Sequence, residues 1–312
     1  MLPILLKTLP FFAVIGLGFV AGRTRFFSVE ATAYLTRFVF YFALSAMLFG
    51  FAANLDLSRV FSWAFVMAYL LASTFVWLLV AGVALMRGTK PVEALIEAHC
   101  GVIGNVGFLG IPMLTLLLGP GAVGPVLLVL AVDLIVFSSV LTLGITGLRT
   151  GRMSPGILGL LAMGLLRNPM IVSVVLGLGW GAAGWALPGS VNEFLTLLGA
   201  AATPCALFAI GASLAGRNAE RLEIAAWLSF AKLVLHPAAV AVAAFVLFRV
   251  EPQAAAVMVA AAALPVAGNV FILAQHYGVA PQRVSTSILV STAVSVLSVS
   301  AVIAWVTGQG GG

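Results

Sequence analysis

Two asparagines sit where an apolar chain has least use for them. Gly104-Asn105-Val106 and Gly268-Asn269-Val270 repeat one phrase inside otherwise apolar stretches, 269 − 105 = 164 residues apart. Pro112 follows the first copy, which Gly107 and Gly110 extend, and Pro265 precedes the second. Glycine allows close backbone approach and positive φ, and proline removes a backbone donor. Helices carrying this combination near their middles are expected to open, near Asn105–Pro112 and Pro265–Asn269. Opened backbone at membrane depth is tolerated only where protein or a water-filled cavity satisfies it. Two such openings in matching halves point to the binding site of a secondary transporter. If the broken helices cross, two half-helix N-termini converge, each with free N–H groups and about half a positive charge. That environment suits an anion such as a carboxylate. Asn105 and Asn269 would donate to the substrate or tie down the freed backbone; the competing account is a pair of packing kinks.

Ionisable residues inside apolar spans are functional hypotheses by default. Asp133 lies mid-way along the fifth apolar run, where it would bind a coupling cation or pair with Lys232 of the eighth. Lys232 would alternatively offset the charge of the anion. His236, next to Pro237, titrates near neutral pH or serves as a local hydrogen-bonding group. Gln275 ends its run and faces either the crossover or solvent. His99, with Glu93 and Glu97, is expected at the interface where the fourth run starts, and Lys7 is expected to snorkel. Ser45 and Thr203 hold nearly symmetric positions, where they line a substrate path or pack helices. Cys100 and Cys205 show no metal or redox spacing, and no metal or cofactor is expected beyond Na+ or H+ as a coupling ion. There is no HExxH, GxSxG or paired-Asp motif for a membrane-embedded enzyme, and no GxxxxGK[ST] to bind ATP. A channel would need no inverted crossovers.

The elements that must position these residues are legible from composition. Hydrophobic residues make up 62% of the 312 and charged residues 8%, far from the quarter usual in soluble domains. At roughly 20 residues per span, ten spans fill the chain: 3–22, 33–53, 60–86, 92–118, 121–148, 169–187, 190–216, 222–248, 252–277 and 282–306. The first is read as a retained span, since Ala21-Gly22-Arg23 is a poor cleavage site. The apolar stretch 153–166 reads as a surface-lying helix in a central linker, 149–168. Odd-numbered loops hold eleven positive charges (Arg23, Arg25, Arg37, Arg87, Lys90, Arg149, Arg152, Arg167, Arg217, Arg221, Arg283) against Arg59 and Arg249 in the even ones. This bias predicts both termini outside the cytoplasm. It also disperses the net charge of +6, so no nucleic-acid partner is expected. Leu48-Phe49 and Leu207-Phe208 recur at an offset of 207 − 48 = 159. Five is odd, so a second five-span repeat must insert upside down. The predicted architecture is all-α, with inverted repeats over 1–148 and 169–312.

Gly104-Asn105-Val106-Gly107-Phe108-Leu109-Gly110-Ile111-Pro112, taken with Leu264-Pro265-Val266-Ala267-Gly268-Asn269-Val270-Phe271, resembles the auxin efflux carrier family, the plant PIN proteins and their bacterial relatives. The resemblance runs the length of the chain, with a short linker as in bacterial members. It implies a fold like those of bile-acid symporters and NhaA-type antiporters. It implies a scaffold domain from spans 1, 2, 6 and 7 and a moving transport domain from spans 3–5 and 8–10. Asn105, Asn269, Pro112 and Pro265 match the family's crossover residues, and family substrates are organic anions, auxin or dicarboxylates. The expectation is therefore an elevator-type carrier of a small carboxylate in the bacterial inner membrane, a homodimer through its scaffold helices. The alternative is a sodium- or proton-coupled carrier of another solute in the bile-acid symporter and antiporter group.

Overall fold

Apolar runs bounded by charges, prolines and glycines become helices throughout the computed structural model, which describes residues 2–55, 61–150, 156–216 and 221–309. In chain order they are α1 (Leu2–Arg23), α2 (Val29–Ala53), α3 (Trp63–Met86), α4 (Pro91–Val102), α5 (Val106–Leu118) and α6 (Pro120–Arg149). Then follow α7 (Gly156–Leu166), α8 (Pro169–Ala182), α9 (Gly189–Ala215), α10 (Leu222–Leu247), α11 (Pro252–Ala262), α12 (Gly268–Tyr277) and α13 (Pro281–Gly308). No strand occurs among the described residues. Seven helices, α1, α2, α3, α6, α9, α10 and α13, are long and apolar enough to cross a membrane. The expected fourth and ninth spans are each two half-helices, α4 with α5 and α11 with α12. The expected sixth is shorter than its apolar run, because α8 has 14 residues and gives way to the left-handed Gly184 (φ +69°). The linker helix forms as α7; the linker residues 151–155, with Arg152, and the loop arginines Arg59 and Arg217 lie outside the described residues.

Local chemistry explains most helix starts. Ser28 accepts from Ala31 N, Ser62 from Phe65 N, and Asn168 from Met170 N. The carboxylate of Glu251 accepts from both Gln253 N and Ala254 N. Such caps satisfy donors that a helix start leaves open, and Pro169 and Pro252 fill first positions where a missing N–H costs nothing. Neither α5 nor α12 has a side-chain cap. Several helices widen by one π-type turn, at Val106–Gly110, Asp133–Phe137 and Ala231–Leu235 among others. Such turns recur at functional sites, and here they carry Asp133 and Lys232.

Lipid offers no hydrophobic drive for helices to associate, so close backbone packing must hold them together. A Cβ added to Gly18 of α1 would lie 2.1 Å from the Phe208 carbonyl oxygen of α9. One added to Gly177 of α8 would lie 2.8 Å from the Phe49 carbonyl oxygen of α2. These are one contact made twice with the roles exchanged, since 177 − 18 = 159 and 208 − 49 = 159. The next turn repeats it. Gly22 faces the Ala212 carbonyl and Gly181 the Ala53 carbonyl, and 181 − 22 = 212 − 53 = 159. The pairs α1 with α9 and α2 with α8 are thus built alike.

Candidate substrate site at the helix crossover

The two openings meet. Gly104 and Val266 form an isolated antiparallel bridge, in which Asn105 N donates to the Pro265 carbonyl at 2.8 Å and Ala267 N to the Ile103 carbonyl at 3.1 Å. Each unwound segment supplies the partners that the other lost, as buried backbone requires. Val266 N has no counterpart in α4 or α5; the Ser291 hydroxyl of α13 accepts from it at 3.1 Å. Ser291 was absent from the sequence-based candidates, being one hydroxyl among the many of α13.

The first opening lies at Ile103–Asn105, at the upstream edge of the expected interval. Pro112 sits in the first turn of the regular part of α5, beyond the wide turn Val106–Gly110. Upstream of it the turn is already widened, with Leu109 N and Gly110 N both donating to the Asn105 carbonyl. The second opening spans Ala263–Ala267 and contains Pro265, as expected.

Four half-helix ends converge here, the C-termini of α4 and α11 and the N-termini of α5 and α12. The N-terminal ends carry partial positive charge. Asn105 is buried beside them, and Gly268 opens α12 with nothing within 4 Å of the position a Cβ would take. Asn269, in the same turn, keeps its side-chain oxygen buried without a partner among the described residues. A Cβ on Gly107 would lie 2.9 Å from the Met170 methyl of α8 and one on Gly110 2.6 Å from Leu264 Cδ1, so those side-chain tips would have to shift.

Beside the crossover, α2, α5 and α9 enclose a cavity of about 600 Å³. Its wall runs from Asn54 and Asn192 at helix ends down to Ala46, Pro112 and Thr203, with Met47, Phe51, Leu116 and Leu195 forming apolar surface and Thr115 and Thr196 adding hydroxyls. Thr203 therefore faces the cavity. Ser45 does not line it, and its hydroxyl donates to the Phe40 carbonyl of its own helix.

The buried ionisable residues form a separate arrangement against the same crossover. Lys232 and His236 are fully buried, and Asp133 nearly so. The expected direct ion pair of Asp133 with Lys232 is not made. The Tyr69 hydroxyl donates to Asp133 Oδ1 at 2.9 Å, whereas Lys232 Nζ donates to the Ala262 carbonyl and lies 3.2 Å from His236 Nδ1. His236 Nε2 meets the Ser73 hydroxyl at 2.9 Å. The reason is the opening of the ninth span, which presents to Lys232 a carbonyl that a continuous helix would have kept. Gln275 is exposed near the far end of α12, away from the crossover.

His99 is the other departure from expectation. It is fully buried, with neither ring nitrogen partnered among the described residues. Short α4 is packed among α3, α6, α10, α12 and α13, so its last two turns lie inside the bundle. Glu97 is buried too, held by Arg87 and Arg283, and Arg283 also pairs with Glu93 at 3.2 Å.

Apolar helices, seven of them long enough to cross a membrane, whose opened backbones meet beside a cavity have the features of a multi-pass membrane transporter. The chain belongs to the family described as membrane transport protein, whose profile matches residues 3–303, the auxin efflux carrier family that its sequence resembles. It is 30% identical over 296 residues to a Rhizobium meliloti (strain 1021) protein provisionally named a malonate transporter, covering 94% of this chain and 92% of that one.

Proposed function

We propose that this protein is a secondary carrier of a small organic anion, a carboxylate, bound at the crossover and moved by an elevator-type alternation. The observation that carries the reading is the meeting of two uncapped helix N-termini, α5 and α12, with open space where Gly268 would carry a side chain and with Pro112 and Thr115 of α5 in the wall of the neighbouring cavity. Uncapped N–H groups and two positive dipole ends are complementary to a carboxylate. The relative named for malonate supports that chemistry.

In this reading α1, α2, α8 and α9 form the scaffold, and α3–α6 with α10–α13 form the moving domain. The chain crosses the membrane ten times in two inverted five-span repeats, 1–148 and 169–312. The duplicated glycine contacts at an offset of 159 and the reciprocal pairing at the crossover support the inversion. With both termini outside, as the loop charges argue, the cavity rimmed by Asn54 and Asn192 belongs to an outward-facing state. A homodimer through the scaffold completes the proposal. The test is uptake of labelled malonate, succinate, a short monocarboxylate and an indole acid into proteoliposomes. Saturable uptake of one carboxylate class supports the reading, whereas saturable uptake confined to cationic or neutral solutes would overturn it.

A further inference from the structure

The last carbonyls of a helix have no partner inside it and form the negative end of its dipole. In carriers with broken helices, such ends and the unwound backbone next to them hold coupling cations. At the end of α11 that place is already taken. Lys232 Nζ donates to the Ala262 carbonyl, and a Cβ on Gly104 would lie 3.2 Å from Nζ and 3.3 Å from the Ala261 carbonyl oxygen. Ammonium, carbonyls and crossover backbone therefore share one small space, and a side chain at Gly104 would press on the end of Lys232.

A fully buried charge requires compensation, and here the compensation is internal. An ammonium has no acceptor, so His236 Nδ1 accepts from Lys232. Nε2 then carries the ring proton and donates to Ser73. Ser73 stands one turn from Tyr69 and interacts with its hydroxyl, and Tyr69 donates to Asp133. The donors run in one direction, from the ammonium toward the carboxylate.

We propose that the Lys232 ammonium is the resident cation of this carrier, filling the carbonyl end of α11 and balancing Asp133, so that transport needs no diffusible alkali cation. The proposal rests on the transport reading above for its consequence, but the cation site itself does not. Asp133 and Lys232 sum to zero formal charge, and an added Na+ would leave one buried positive charge unbalanced. Removing the ammonium reverses the situation. Lys232→Ala leaves the Asp133 carboxylate, whose Oδ2 is buried without a partner among the described residues, and takes the ammonium from the Ala262 carbonyl, which keeps only its interaction with His236. Hard oxygen donors around a net negative charge are what Na+ or Li+ takes.

The test uses the purified full-length carrier, Lys232→Ala, Lys232→Gln and Lys232→Ala/Asp133→Asn, unfolded thermally in NaCl, LiCl or choline chloride at equal ionic strength without any organic anion. Na+ or Li+ is expected to raise the midpoint of Lys232→Ala by several degrees, as a ligand that binds only the folded state does, and to leave the wild type and the double variant unmoved. Lys232→Gln keeps a hydrogen-bond donor for Ala262 and provides the same reading if the alanine variant does not fold. In proteoliposomes, wild-type uptake is expected to be equal in Na+ and choline, and uptake by Lys232→Ala roughly tenfold higher in Na+. A Na+ shift of the wild-type midpoint, or folded single variants indifferent to the salt, would overturn the proposal. A Na+ shift of the single variants alongside a wild type that carries no carboxylate would instead overturn the transport reading and leave the resident cation standing.

Discussion

Asn105 and Asn269 are polar side chains at the uncapped starts of two helices, and what they contribute differs from what the backbone around them contributes. The crossover is held by main-chain hydrogen bonds, Asn105 N to Pro265 and Ala267 N to Ile103, which truncation of either side chain leaves in place. Asn105→Ala and Asn269→Ala are therefore expected to reach the membrane folded and to bind the anion about ten- to hundred-fold more weakly, through loss of charge-assisted hydrogen bonds of about 1.5–3 kcal/mol each. Uptake equal to wild type in both, at verified expression, would reduce the crossover to a structural feature. Gly268 sharpens the same question. Its position has open space and no positive φ, so Gly268→Ala is expected to keep its unfolding midpoint while losing uptake, because the new methyl group occupies the anion's space. Gly104→Ala is the contrast: crowding Lys232 and Ala261 is expected to cost about 1–3 kcal/mol of stability, read as a lowered midpoint.

Among the elements, α13 serves the crossover although it is not one of the broken helices. Ser291 accepts from Val266 N, a buried donor with no other source of satisfaction in the crossing segments. Ser291→Ala is expected to destabilise by about 1–3 kcal/mol, the cost of an unpaired buried polar group, and Ser291→Thr to retain most of the stability by keeping the hydroxyl. Equal midpoints for Ser291→Ala and wild type would show that water replaces the hydroxyl. The α1–α9 and α2–α8 contacts make a second prediction at this scale. Gly18→Ala and Gly177→Ala put a methyl group within 2.1 Å and 2.8 Å of a backbone oxygen. Both are expected to lower the midpoint markedly and to similar extents, because they are the same contact in two copies. Gly16→Ala, with nothing within 4 Å, is expected to be neutral or stabilising by up to about 1 kcal/mol from helix propensity.

For the whole molecule, the duplicated packing and the loop charges lead to one arrangement in the bilayer. In the proposed ten-span arrangement two halves of five spans each would lie in opposite senses, and eleven basic loop residues against two argue for the sense with both termini outside. A reporter joined after Gly312 is expected outside the cytoplasm and one inserted at 149–152 inside. The opposite labelling would reverse the side on which the cavity at Asn54 and Asn192 opens. In either sense the proposed moving domain would carry Asp133 and Lys232 together, since it includes both α6 and α10, and the charge they balance would travel as zero.

What the chain determined on its own is local or periodic. Apolar run lengths dictate helices because unpaired backbone is intolerable in lipid. The recurrence of Gly-Asn-Val and of Leu-Phe marks the repeat, and Gly with Pro265 marks an opening, since those residues act through their own φ and missing donors. Only tertiary structure decided who satisfies whom. Lys232 turns from Asp133 to Ala262 because the broken α11 exposes a carbonyl there. Ser291 is singled out of a hydroxyl-rich helix by Val266 N, an amide that the crossing segments do not satisfy. The first opening falls at Ile103–Asn105, the upstream edge of the interval Asn105–Pro112, where Pro265 and Ala267 pair across sequence separations of 265 − 105 = 160 and 267 − 103 = 164. His99 and Glu97 are buried because neighbouring helices enclose short α4. Such partnerships depend on orientation and contact across the bundle, which no spacing along the chain encodes.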